Sequence, residues 1–161
     1  LLFACGWLII LPHTQEQITL NVYNWGQNIA DGSDGTVDII ATDHAPHTVE
    51  EKSRGLKDSA MGIVGLETAF AAMNTHIVEK GIITLERLVE LMSIRPREVF
   101  RIAGGINVGD RADIVLLDTT KEWRVDSDKF YSMGKVSMFV GRELQGEVAM
   151  TIHRGEVVYE R

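Results

Sequence analysis

The stretch Thr36-Val37-Asp38-Ile39-Ile40-Ala41-Thr42-Asp43-His44-Ala45-Pro46-His47 decides how the rest of the chain is read. Residues 36–42 are β-rich and apolar at both parities over much of the run, the pattern of a parallel strand buried on both faces. Asp31-Gly32-Ser33-Asp34-Gly35, just ahead of it, is a dense turn signal. The strand then runs out onto an acid, two histidines and a proline. In parallel α/β folds, ligands and catalytic groups gather at that edge of the sheet. Pro46 stiffens the loop, since its φ is fixed at about −65°. A carboxylate at Asp43 can ligate a metal, take a proton, or do both, and His47 can hydrogen-bond an anionic substrate. The other reading is a capping Asp beside solvent-facing histidines, and spacing alone leaves both open.

Working outward, residues 48–59 are polar and charged, and Glu50, Glu51 and Lys52 read as a solvated loop, with gating of a site as the alternative. Ile63, Leu66, Phe70, Met73 and Ile77 then form one apolar stripe, which predicts an amphipathic helix whose Met and Phe side chains are core. Gly81 suits its C′ position. Thr84 can cap a second helix carrying Leu85, Leu88, Val89 and Met92. Pro96 is expected to start a third, with Val99 and Phe100 inward and Gly104-Gly105 as its stop. Beyond it the character changes to strands. Ala112-Asp113-Ile114-Val115-Leu116-Leu117-Asp118 is one, and residues 146–153 and 156–160 form a hairpin through Arg154-Gly155. His76 and His153 read as structural residues of helix and strand, and Asp126, Asp128 and Lys129 as surface.

Composition narrows the class. The 161 residues are 45% hydrophobic and 24% charged, which suits one domain or a piece of a larger one. The formal charge of −7, without a basic cluster, argues against binding nucleic-acid phosphates. A single cysteine, Cys5, can form no internal disulfide, so a reducing cytoplasm is the expected setting and inert packing its expected role. The apolar run at residues 1–11 is shorter than the ~20 residues a membrane span needs. It also lacks the initiator Met and basic segment of a signal peptide. Residues 1–34 show no period, with Trp7, Tyr23 and Trp25 scattered among polar residues and His13 in an unmatched stretch.

Taken together, residues 37–47, then Glu51-Lys52, then Gly62-Ile63-Val64-Gly65-Leu66-Glu67-Thr68-Ala69 resemble the final barrel strand and following loop of bacterial dihydroorotases. Residues 95–100 and 104–115 are similar to a tail found across the amidohydrolase superfamily. The resemblance covers roughly residues 35 to 161, and Asp-His-Ala-Pro-His with the Gly-Ile-Val-Gly segment favours dihydroorotase over hydantoinase or allantoinase.

The resemblance implies an α/β fold: the last strand and helix of a metal-dependent-hydrolase TIM barrel, linker helices, and a small portion of a β-sandwich. It divides the chain into an atypical segment at 1–34, the barrel end with linker helices at 35–105, and the sandwich portion at 106–161. It implies reversible hydrolysis of (S)-dihydroorotate to N-carbamoyl-L-aspartate in pyrimidine synthesis, with one or two Zn2+ ions. Asp43 is then metal ligand and proton-transfer residue, His47 contacts substrate, and so do main-chain groups of Met61 and Gly62. His44 shapes the loop or joins the site. A homodimer, or a complex with aspartate carbamoyltransferase, is the partner the family suggests, with no nucleic acid and no membrane.

The chain departs from the family at three places. Ala60 precedes Met61 where the family usually has Pro. The Asn-Pro-Pro-like substrate segment and the early His-x-His pair have no counterpart. The chain alone is therefore expected to be inactive, and residues 1 to about 26 are expected not to be a natural part of the fold, as a shifted reading frame would produce. The rival readings are a non-catalytic amidohydrolase-like assembly partner and a hydantoinase- or allantoinase-type enzyme.

Overall fold

The computed structural model describes residues 7–10, 21–24 and 39–161. Cys5, His13, the turn at 31–35 and the first residues of the expected strand, 36–38, lie outside the described residues. Strands β1 (Trp7–Ile10) and β2 (Asn21–Asn24) pair antiparallel, with Trp7 opposite Asn24 and Ile10 opposite Asn21. Four residues apiece are too few to reveal a period of two, so the sequence showed none here. Among the described residues no helix is long and apolar enough to cross a membrane.

The chain falls into two compact units. The first takes in the described residues up to Ala69 together with 124–143. Of the expected buried strand, residues 39–42 are described, and Ile39 is buried. Residues 39–43 form no ladder with the described residues, and the segment makes a single parallel bridge, His44 to Ile63, reinforced by Ala45 N–H donating to the Ile63 carbonyl at 2.9 Å. A parallel strand needs neighbours, and one bridge is what the described residues provide. Two short helices follow, α1 (Val49–Lys52) and α2 (Gly55–Asp58).

The amphipathic helix expected from Ile63 also starts later. Val64 N–H donates to the Val136 carbonyl at 2.8 Å, and the Gly65 and Leu66 N–H groups donate to His44, so this stretch is tied to partners distant in sequence. Leu66 is consequently exposed, and helix α3 begins at Ala69. Ile39, Val64, Val125, Phe130 and Phe139 are buried among the described residues of this unit.

The second unit holds 70–123 and 144–161. Helix α3 (Ala69–Met73) widens into a π-turn at Asn74–Val78, where Glu79 N–H bonds the Asn74 carbonyl. Gly81 then ends the helix as its spacing predicts. Its φ is +69°, and the Gly81→Val78 and Ile82→Ile77 backbone bonds satisfy the last carbonyls. Thr84 caps α4 (Leu85–Val89) through its side chain, which accepts from Arg87 N–H.

Pro96 does not start a separate helix. α4 passes through a second π-turn, Glu90–Ile94, into α5 (Arg95–Phe100), with Arg95 N–H bonded to Glu90. Proline has no N–H and crowds the carbonyl four residues back, so a widened turn ahead of it lets the helix continue. The stop comes before the Gly104-Gly105 pair, at Arg101 in a left-handed conformation (φ 55°). Leu88 and Leu91 are buried with Met73 and Ile77, at roughly 1.5–3 kcal/mol each.

The strands are β3 (Ile114–Arg124), β4 (Glu143–His153) and β5 (Glu156–Glu160), one sheet in the order β3-β4-β5. β3 runs six residues further than its apolar run suggests, through the exposed Thr120, Lys121 and Glu122 to the half-buried Trp123 and the exposed Arg124. The hairpin β4–β5 is antiparallel, and Arg154 (φ 53°) and Gly155 (φ 85°) both take the left-handed region a tight two-residue turn requires. Asn74 is almost fully buried, and its amide donates to the Thr119 and Gln145 carbonyls at 3.1 Å each, so its burial costs little.

Candidate functional site

The first unit carries the residues singled out in the sequence. Among the described residues, three non-glycine residues have positive φ: Asp43 (48°), Arg101 (55°) and Arg154 (53°). Arg101 ends a helix and Arg154 makes a hairpin turn. Asp43 does neither. A left-handed residue costs about 1–2 kcal/mol, which Asp tolerates better than most, and strain of this kind gathers at functional sites. The Asp43 side chain is half-buried.

His44 shapes the loop. Its Nδ1 accepts from the Gly65 and Leu66 N–H groups at 3.2 and 3.3 Å. A ring nitrogen that accepts carries no proton, so the neutral ring has its proton on Nε2, and Nδ1 is committed. Close approach fixes the next contact. A Cβ at Gly62 (φ 121°) would stand 2.6 Å from both the Cβ and the carbonyl oxygen of Ala45, and 3.2 Å from His47 Cδ2. Only glycine fits, and it brings the main chain at 62 against the His47 ring. Gly134 abuts Pro46 in the same way, its would-be Cβ lying 2.7 Å from the proline Cβ.

His47 is half-buried, with Nδ1 3.6 Å from Glu51 Oε2. That carboxylate also accepts from Thr48 N–H (2.9 Å) and Thr48 Oγ1 (3.1 Å), while Thr48 Oγ1 takes Glu51 N–H, a complete capping box at the start of α1. The Thr48 bonds, above all the backbone one, hold the Glu51 carboxyl below its ordinary range, with a smaller contribution from His47. Lys52 Nζ donates to the Ala60 and Gly62 carbonyls at 2.9 and 3.0 Å.

The reading of 50–52 as a solvated loop is therefore corrected at two positions, since Glu51 and Lys52 are both engaged. The signal was present: Thr48-x-x-Glu51 is a capping box in sequence, and His47 and Glu51 are four apart. Glu67 was missed altogether as a polar anchor. Burial pushes its carboxyl up, but the bonds from Ser132, whose N–H lies 2.8 Å from Oε1, outweigh this and hold it low.

Of the four predicted site residues, the structure thus brings His47 and Gly62 into contact. Met61, next to Gly62 in the chain, is exposed. Asp43 opens the same leg of chain. Among the described residues no group of three or more His, Cys, Asp or Glu side chains could hold a metal ion. A zinc site takes three or four protein ligands, so Asp43 alone does not make one.

The sequence pattern of the Amidohydrolase family matches residues 27–158, and the chain belongs to that family. Its similarity is more particular than that. It is 51% identical over 129 residues to a dihydroorotase of Anoxybacillus flavithermus, covering 80% of this chain and 30% of that protein. A dihydroorotase of Caldanaerobacter subterraneus is 45% identical over 168 residues, covering 94% of this chain, with residues ahead of Gln27 included, and 39% of that protein. The chain thus spans roughly a third of the length of these relatives. Among solved structures, the L-hydantoinase of Arthrobacter aurescens is 38% identical with a TM-score of 0.74, covering 81% of this chain and 30% of that one. The dihydropyrimidinase of Brevibacillus agri, 24% identical with a TM-score of 0.73, shares the fold.

Proposed function

We propose that this chain is the C-terminal part of a dihydroorotase: the end of an α/β TIM barrel, its linker helices and a share of a β-sandwich. The enzyme reversibly hydrolyses (S)-dihydroorotate to N-carbamoyl-L-aspartate. The observation that carries the reading is the left-handed Asp43 opening a leg of chain on which His47 packs against Gly62. It occurs in a sequence 51% identical to a dihydroorotase.

Each residue has a task. A cyclic amide opens when an attacking water loses a proton and the ring nitrogen gains one. Asp43 takes the first proton and returns it to the nitrogen, work suited to a carboxylate that can hold a proton briefly. Ring closure reverses the order. His47, with Nδ1 facing Glu51, offers Nε2 to the substrate carboxylate. The Met61–Gly62 main chain offers its N–H and C=O to the ring amide.

Amidohydrolases of this kind depend on a metal, and zinc is the ion proposed, one or two per site. The described residues supply one ligand, Asp43, so the others belong to a part of the longer relatives that this chain does not span. We also propose a homodimer or an assembly with aspartate carbamoyltransferase. The 38% identity to an L-hydantoinase favours a second reading, hydrolysis of hydantoin-type rings by the same residues. The test is turnover by the full-length protein that carries this chain. Dihydroorotate should open and N-carbamoyl-aspartate should close, and conversion of neither would overturn the proposal.

A further inference from the structure

Lys52 is a cation of the site loop that the chemistry above does not use. Its half-buried ammonium holds two carbonyls at once, those of Ala60 and Gly62. The turn that carries it is tied to the same strip of chain, since Ala60 N–H donates to the Glu51 carbonyl at 3.0 Å and Ser59 Oγ to the Lys52 carbonyl at 2.8 Å.

A peptide group is planar and trans, so its C=O and N–H point opposite ways. Holding the Ala60 carbonyl on Lys52 turns the Met61 N–H away from the lysine. Holding the Gly62 carbonyl fixes the plane on the far side of Gly62. The Met61–Gly62 peptide lies between two clamped planes, with the Gly62 backbone wedged against Ala45 and His47. Its own C=O and N–H, and the Met61 N–H, bond to no other described residue.

We propose that Lys52 is a positioning residue: its ammonium clamps the carbonyls of Ala60 and Gly62 and thereby aims the Met61–Gly62 peptide at the ring amide of a cyclic-amide substrate. This rests on the dihydroorotase reading and adds to it the group that sets the peptide's direction. An ammonium can donate three hydrogen bonds and so serve two carbonyls together, which no neutral side chain of that reach does as well.

The test compares Lys52→Met and Lys52→Arg with the unaltered full-length protein, using L-dihydroorotate as the probe. Lys52→Met should raise KM by about ten-fold or more with kcat within about three-fold, because an aimed peptide serves ground and transition states alike. Lys52→Arg, which can still donate to both carbonyls, should recover most of that loss. A purely structural lysine would lower the active fraction, and so kcat, at unchanged KM. Unaltered protein that turns over dihydroorotate, with a Lys52→Met variant of normal KM, would overturn the role of Lys52 and leave the reading standing. If Lys52→Met does not fold, Lys52→Arg decides: KM near normal supports the clamp, and KM raised as far as ten-fold overturns it. The carbonyl 13C resonances of Ala60 and Gly62 give a readout free of turnover. Both should shift on Lys52→Met, and unchanged shifts would refute the clamp whatever the substrate proves to be.

Discussion

Two tight places in the chain make the same backbone choice for different ends. At Arg154-Gly155 two successive residues with positive φ close a hairpin, and the strands on either side account for them in full. At Asp43 and Gly62 the same region of conformation is used without a hairpin or a helix end. What it achieves there is placement: an acid at the head of a strand-like leg, and a stretch of main chain against an imidazole. The first place can be explained by folding alone. The second holds residues proposed above to meet the substrate.

That contrast can be broken most sharply at Asp43. Asp43→Asn keeps the shape and removes the proposed base, so kcat in the full-length protein should fall by at least ~10²-fold, with metal content falling too. The substitution most like it in the hairpin turn, Arg154→Asn, should leave kcat untouched. Steady-state kinetics with metal analysis checks both. His47→Ala removes the proposed charge-assisted bond to substrate, worth about 1.5–3 kcal/mol, so kcat/KM should drop roughly ten-fold to over a hundred-fold, mainly through KM. An unchanged KM would place His47 outside the site.

How far these places were legible in the sequence differs for physical reasons. Gly81, Thr84 and the Arg154-Gly155 turn were readable because caps and tight turns are local, written in two to four adjacent residues. Asp43, His47, Met61 and Gly62 were singled out largely through family resemblance, and periodicity alone left Asp43 open as a cap. The helix start at Ile63 was misread because its backbone partners, His44 and Val136, lie far away in sequence. The merging of α4 and α5 was hidden in the same way, since a π-turn ahead of Pro96 leaves no mark in the apolar stripe. Lys52 was passed over because a charged residue in a polar loop looks solvated until the carbonyls that receive it are known.

The glycines sharpen the comparison further. Gly62→Ala must displace Ala45, which lies 2.6 Å from the new Cβ, so a loss of roughly 1–3 kcal/mol and a raised KM are expected. Gly155→Ala meets nothing within 4 Å and should cost only about 1 kcal/mol of backbone strain, with kinetics unchanged. Denaturant melts of the two variants check the difference.

The smallest effect concerns pH. The Glu51 carboxyl is held below its ordinary value of 4.5 by Thr48. A carboxyl lowered in the folded state contributes stability above its unfolded value, and that stability is lost as pH falls through the folded one. Amide exchange in residues 48–53 should therefore quicken on acidification below about pH 4, with Thr48→Ala removing most of the dependence.

One measurement bears most directly on the whole account: the ratio of kcat/KM for L-dihydroorotate to that for hydantoin, taken on the full-length protein that carries this chain. The account predicts that dihydroorotate is favoured by at least ~10²-fold, since the His47 contact with a ring carboxylate is absent from hydantoin and a site built to bond a group rejects an analogue without it. Equal turnover, or preference for hydantoin, would contradict it.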